Sequence, residues 1–209
     1  MEFGKVLKTF SSKGGKSVTI QAVAKTDLNS LLDFINGLIA EDTYIYRETD
    51  KPVTLEEEAQ WLDNAMNQMG KGNQFYFVAK AEGRIVGVGN IIRGWMREQE
   101  QGRFRMSIAK DYREQGIGTE MMKMGIVIGK EMSLKLLKSW LFADDEKAVY
   151  LAKKCGFVEG GKLPQSVRFK DGYTDEILMY CLLNVYAPQY GTGSTSEGAE
   201  VDLGEDDIV

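Results

Sequence analysis

One segment, Arg113-Glu114-Gln115-Gly116-Ile117-Gly118-Thr119, constrains the chain more than any other. It joins a short strand-like run, Phe104 to Ala109, to an apolar, Met-rich helical pattern from Ile117 to Lys130. The first turn of a helix carries backbone N–H groups with no partner inside the helix, and the macrodipole adds partial positive charge there. Glycines at 116 and 118 let a ligand approach the backbone without meeting a Cβ. A strand, a glycine turn and a helix start therefore predict a site for a phosphorylated cofactor, gripped mostly by main chain. It is not the dinucleotide fingerprint G-x-G-x-x-G, because Met121 stands where the third glycine belongs.

The order of elements follows from periodicity and turn chemistry. Lys5 to Phe10 and Ser17 to Ala24 read as strands around the turn Ser12-Lys13-Gly14-Gly15. Lys13 to Ser17 is not a P-loop, because Phe10 stands where its first glycine must be. Thr26 or Asp27 caps a helix through about Ala40, and Glu41 to Val53 is a connecting loop. The capping box Thr54-Leu55-Glu56-Glu57 opens a second helix to about Met69. Gln74 to Lys80 and Ile85 to Arg93 read as strands around Glu82-Gly83-Arg84. After the glycine segment come a strand, Leu136 to Phe142, a helix from about Asp144 to Cys155, and a terminal hairpin. The order is ββααβββαβαββ, an α/β (α+β) class of fold, with a crossover at the glycine turn that implies parallel strands.

Composition narrows the function. The 209 residues, 43% hydrophobic, fit one domain, taken as 1–186. Six of the 31 acidic residues fall between 184 and 209, with no Lys or Arg there. Residues 187–209, acidic and rich in Gly and Ser, read as a solvated tail. The rest is near neutral, so no nucleic-acid partner is expected. No run approaches the roughly 18 apolar residues of a membrane helix, and Met1 to Phe10 lacks the apolar core of a signal peptide. Cys155 and Cys181 give neither a disulfide framework nor a metal site, and a cytoplasmic protein is expected. The chain has no histidine, which excludes His-based triads, His-liganded zinc and His general bases.

The spacing R-x-x-G-x-G at 113–118 resembles the acetyl-CoA pyrophosphate loop of the GNAT superfamily of N-acetyltransferases. A second stretch, Asp145 to Phe157, resembles that family's N-x-x-A-x-x-L-Y-x-x-x-G-F at Ala148, Leu151, Gly156 and Phe157. Asp171 to Met179 is similar to its terminal hairpin, and the resemblance spans about residues 5 to 184. It implies a single GNAT-like domain with a mixed sheet of about seven strands splayed at the cofactor site and about four flanking helices. It also implies acetyl-CoA as cosubstrate. The backbone of Met106, Ser107 and Ile108 would pair with pantetheine, Arg113, Glu114, Gln115, Gly116, Ile117, Gly118 and Thr119 would take the pyrophosphate, and Asp145 would lie beside the pantetheine.

The reaction implied is direct attack of a primary amine on the thioester in a ternary complex. Departures from the family pattern bear on it. Ala152 stands where many members place a tyrosine that protonates the leaving thiolate. Asp145 replaces the usual Asn, and Trp140 stands where ribosomal-protein alanine acetyltransferases place a glutamate base. That last departure favours a small-molecule acceptor over a protein N-terminus or lysine. A catalytically weak acyl-CoA sensor is the alternative from another class. Residues facing the acceptor are sought in the loop after the first helix (Glu41, Asp42, Tyr44) and in the terminal hairpin (Tyr173, Asp175, Glu176). Cys155 reads as a buried, inert thiol. The reading leaves a homodimer open.

Overall fold

The computed structural model describes residues 2–41, 44–46, 51–169 and 172–183. Its elements run β1 (Val6–Ser11), β2 (Ser17–Ala22), α1 (Leu28–Glu41), α2 (Leu55–Gly70), β3 (Gln74–Ala81), β4 (Arg84–Arg93), β5 (Gln101–Ile108), α3 (Ile117–Glu131), β6 (Leu136–Phe142), α4 (Glu146–Lys154), β7 (Val158–Phe169) and β8 (Gly172–Leu182). The strands form one sheet in the order β1-β2-β3-β4-β5-β6-β8-β7. Eight strands replace the expected seven or so. The stretch Val158–Phe169 keeps strand pairing despite Gly160, Gly161 and Pro164, because register shifts after Glu159 and Leu163 absorb them. Asp42 and the tail from 187 lie outside the described residues.

Helices cover both faces of the sheet. On one face α3, through Met121 and Ile128, and α4, through Ala152, join a core with Phe77, Phe104, Leu137 and Met179. Gly125 lets α3 come this close, since a Cβ there would lie 2.6 Å from the Phe104 ring. On the other face α1 and α2 pack Leu31, Phe34, Leu62 and Met69 against Tyr76, Val78 and Ile85. The capping box forms as the sequence indicates: the Glu57 N–H donates to Thr54 Oγ1 and the Thr54 N–H to Glu57 Oε2. Asp27 takes a different role from that of helix cap. It is 2% exposed, accepts from the Ala24 N–H at 2.9 Å, and pairs with Lys80 at 2.5 Å, while α1 starts at Leu28.

One irregularity of the sheet positions the site. β5 and β6 are parallel neighbours at only three pairs, Gln101–Leu136, Gly102–Leu137 and Arg103–Lys138. Beyond Arg103, β5 stays bonded to β4 as far as Ile108, and β6 stays bonded to β8 as far as Phe142. The two strands therefore part, leaving one edge of β5 from Phe104 to Ile108 with no strand beside it among the described residues. Among the described residues no helix is long and apolar enough to cross a membrane.

Candidate active site

The chain leaves β5 through a 3₁₀ turn, Lys110–Tyr112, and enters α3 at Gly116. Tyr112 is buried beneath this connection. Its hydroxyl donates to Glu82 at 2.5 Å and accepts from Arg84, while Lys16 lies 4.8 Å from its ring centre. Glu114 and Gly116 both have positive φ, 62° and 85°. At Gly116 that angle is what the residue is needed for, because the space around it is open. No side chain caps α3, and its first backbone bond runs from the Glu120 N–H to Gly116 O. The amides of Ile117, Gly118 and Thr119 consequently have no helical partner.

Gly118 differs from the sequence expectation. A Cβ there would lie 3.0 Å from Leu151 Cδ2 of α4 and 3.6 Å from Met106 Cε. The glycine therefore serves close packing as well as open backbone. Ile117 is fully buried in the core. Gln115 donates to the Asp111 carbonyl at 2.8 Å and accepts from Ser12 Oγ. The Lys13 N–H donates to Gln115 O at 3.0 Å, so the β1–β2 turn braces the glycine loop from outside. That brace joins residues a hundred positions apart and carries no local sequence signal.

Side chains of the loop are engaged by protein. Arg113 Nε donates to the Ile108 carbonyl at 3.0 Å and its terminal nitrogen pairs with Glu41 at 2.5 Å. Glu114 pairs with Lys147 of α4, and Glu120 with Lys8 and Lys123. Those ammonium groups hold both carboxyls below the usual carboxylate range. Met106 and Ile108 point to the α3 face, beside Gly118. By alternation Ser107 lies on the opposite face, with Arg103 and Arg105. Asp145 caps α4, accepting from the Ala148 N–H at 3.0 Å. Ala152 is 1% exposed within the core, and Tyr150 faces solvent. Burial raises the Cys155 thiol pKa, as for an inert cysteine.

Residues gather on the α1/α2 face of the gap. Tyr44 and Tyr46 pack on Phe142 of β6, with ring centres 5.5 and 4.7 Å away. Tyr46 donates to Glu176 of β8 at 2.8 Å, and burial and that carboxylate push its pKa well up. Arg105 lies over the Tyr46 ring at 4.9 Å. Tyr46 and Arg105 are not evident as site residues from the sequence. Fifty-nine positions apart in the chain, they become neighbours only through tertiary folding. Tyr173 is exposed. Asp175 pairs with Lys162 at 2.7 Å and accepts from the Gln165 N–H, and both lower its pKa. It shares its face of β8 with Ile177, Met179 and Cys181 of the α3-side core, so Glu176, one residue on, is the carboxylate beside Tyr46. Glu41 is drawn to Arg113 and the Lys110 N–H.

The family described as Acetyltransferase (GNAT) family matches residues 38–157, more than half of the chain. An uncharacterized N-acetyltransferase of Methanocaldococcus jannaschii is 24% identical over 149 residues, 69% of this chain and 62% of the relative. The chain thus spans less than two thirds of that relative's length. The crystal structure of a GNAT-family acetyltransferase from Streptococcus pneumoniae superposes with a TM-score of 0.72 at 25% identity, covering 80% of this chain and 99% of that one. YncA, a putative acetyltransferase of Salmonella typhimurium solved with its cofactor acetyl-CoA, superposes with a TM-score of 0.71 at 14% identity, covering 81% and 96%.

Proposed function

Because the chain belongs to the acetyltransferase (GNAT) family, we propose that it transfers an acetyl group from acetyl-CoA to a primary amine by direct attack in a ternary complex. The observation that carries this reading is the parting of β5 and β6 beyond Arg103, directly beside the uncapped N-terminus of α3. Acetyl-CoA supplies the activated acyl group. The free amides of Ile117, Gly118 and Thr119, with Gly116 holding the turn, suit its pyrophosphate. The carboxylates closest to that turn, Glu114 and Glu120, are each neutralised by lysine, so the anion meets little repulsion. The open edge of β5 at Met106, Ser107 and Ile108 suits the pantetheine amides, as an added strand would.

In this reading the side chain of Arg113 holds the loop rather than the phosphate, and Asp145 acts as a helix cap beside the pantetheine. Much of the rate gain then comes from holding amine and thioester together in the gap. Ala152 offers no donor at the position where a tyrosine would serve the leaving thiolate. That proton comes instead from solvent or from the amine itself.

Two measurements test the proposal. Calorimetry with acetyl-CoA should give saturable binding, and a thiol-release assay over a panel of amines should show turnover with at least one. Binding without turnover on any amine would identify an acyl-CoA sensor. Absence of binding by the folded protein would overturn both readings.

A further inference from the structure

Arg105 stands on β5 two residues beyond the last β5–β6 pair, at the edge of the gap. It is half-buried, and its Nε is buried with no hydrogen-bond partner. Among the described residues its guanidinium makes no ion pair; what it touches is the face of Tyr46. The nearby carboxylate is already engaged. Glu176 accepts from Tyr46 through one oxygen, at 2.8 Å, and from Ser166 Oγ through the other, at 3.0 Å. Arg103 lies on the same face of β5 and adds a second positive charge, while burial and that neighbour both lower the Arg105 pKa. The Nε is covered by protein, whereas the half-exposed terminal nitrogens are held at the edge of the gap with no hydrogen-bond acceptor among the described residues. Those terminal N–H groups suit an acceptor that arrives with the substrate.

From this geometry we infer that Arg105, with Arg103 behind it, receives a carboxylate of the acceptor, so that the substrate is a small amine carrying an acid group, an amino acid rather than a polyamine. The inference rests on the acetyltransferase reading and deepens it. The planar guanidinium suits a carboxylate, which it can bond through two parallel N–H groups. Stacking on Tyr46 fixes its plane, and the Tyr46–Glu176 bond fixes Tyr46. Arg105 is thus a specificity residue that places the amine by holding the other end of the molecule.

The test uses the full chain and matched acceptors: proteinogenic L-amino acids, their α-carboxamides, and spermidine. Thiol release gives kcat/KM for each. The carboxamides present more free amine at a given pH, so preference for the acids cannot arise from ionisation of the nucleophile. The expected result is at least one acid preferred over its carboxamide by about tenfold or more, the scale of a charged hydrogen bond. Arg105→Gln should abolish that preference while KM for acetyl-CoA stays within about twofold. Arg103→Gln, at an exposed position that does not threaten folding, should reduce it in part. Preference for carboxamides or spermidine, or an acid preference that survives in folded Arg105→Gln, would overturn the inference and leave acetyl transfer standing. Absence of acetyl-CoA binding and of all turnover would overturn both.

Discussion

The Arg113 guanidinium lies 2.5 Å from the Glu41 carboxylate, and its Nε bonds the Ile108 carbonyl at 3.0 Å. The end of α1 is thereby tied to the end of β5 at the point where the glycine loop begins. Glu41 sits in the sequence like a residue of an acceptor loop, and its carboxylate bonds Arg113 and the Lys110 N–H beside the proposed cofactor loop. Glu41→Gln should loosen the loop and raise the acetyl-CoA Kd by about threefold to tenfold, the scale of a partly exposed ion pair. Calorimetry checks this. An unchanged Kd would mean the loop holds its shape without the pair.

Gly118 is the second position of α3, and two effects of Gly118→Asp oppose each other there. An acid at a helix N-terminus complements the dipole, and the nearest atom to the Cβ is the tip of the flexible Leu151 side chain, at 3.0 Å, with Met106 Cε at 3.6 Å. The fold should therefore survive with a small loss of Tm, as Leu151 shifts to admit the Cβ beside Met106. A carboxylate beside the proposed pyrophosphate site should weaken acetyl-CoA by about tenfold to a hundredfold. A folded variant that binds as tightly as the parent would place the cofactor elsewhere.

Ala152 belongs to the α3-side core, is 1% exposed, and accepts from the Phe157 N–H at 3.0 Å. Placing a tyrosine at this position should not supply a proton donor. Ala152→Tyr is expected to cost about 3 kcal/mol through overpacking, lowering Tm by about 6–12 °C. Thermal unfolding with parallel thiol-release kinetics decides the matter. A variant with unchanged Tm and raised kcat would show a cavity that admits the ring.

The parts of this architecture visible in the sequence are those governed by local rules. The Thr54–Glu57 capping box, the Gly116 turn and the β5–α3–β6 crossover all follow from residues close together in the chain. The rest depends on pairings between distant residues. Nothing near Asp175 shows that its side chain turns toward Lys162 and leaves Glu176 beside Tyr46. A one-residue choice on a strand exchanges faces, and only the β6–β8 register decides it. Lys13 against Gln115, Glu41 against Arg113 and Tyr46 against Arg105 are likewise products of tertiary folding. The proposed cofactor site was therefore legible as a motif. Of the proposed acceptor face, Tyr44 and Glu176 were named from the sequence, whereas Tyr46 and Arg105 were not.

The last prediction concerns pH. Asp175 is held below the usual carboxylate range, first by Lys162 and then by the Gln165 N–H. A depressed carboxyl stays ionised through neutrality, so the stability it contributes is present above its unfolded pKa and is lost as pH falls through the folded value. Tyr44 and Tyr46 move the other way: burial raises both, and they stay protonated past the ordinary tyrosine range. These three groups are thus displaced from neutrality in directions that exclude them as a base poised there. Turnover should rise with pH toward the pKa of the acceptor amine, and the pKa of that limb should move when the acceptor is changed. Asp175→Asn should leave the limb in place and remove part of the acid sensitivity of folding. A limb fixed in pH across acceptors of different basicity would instead reveal a protein base, and its disappearance in Glu176→Gln would identify which carboxylate it is.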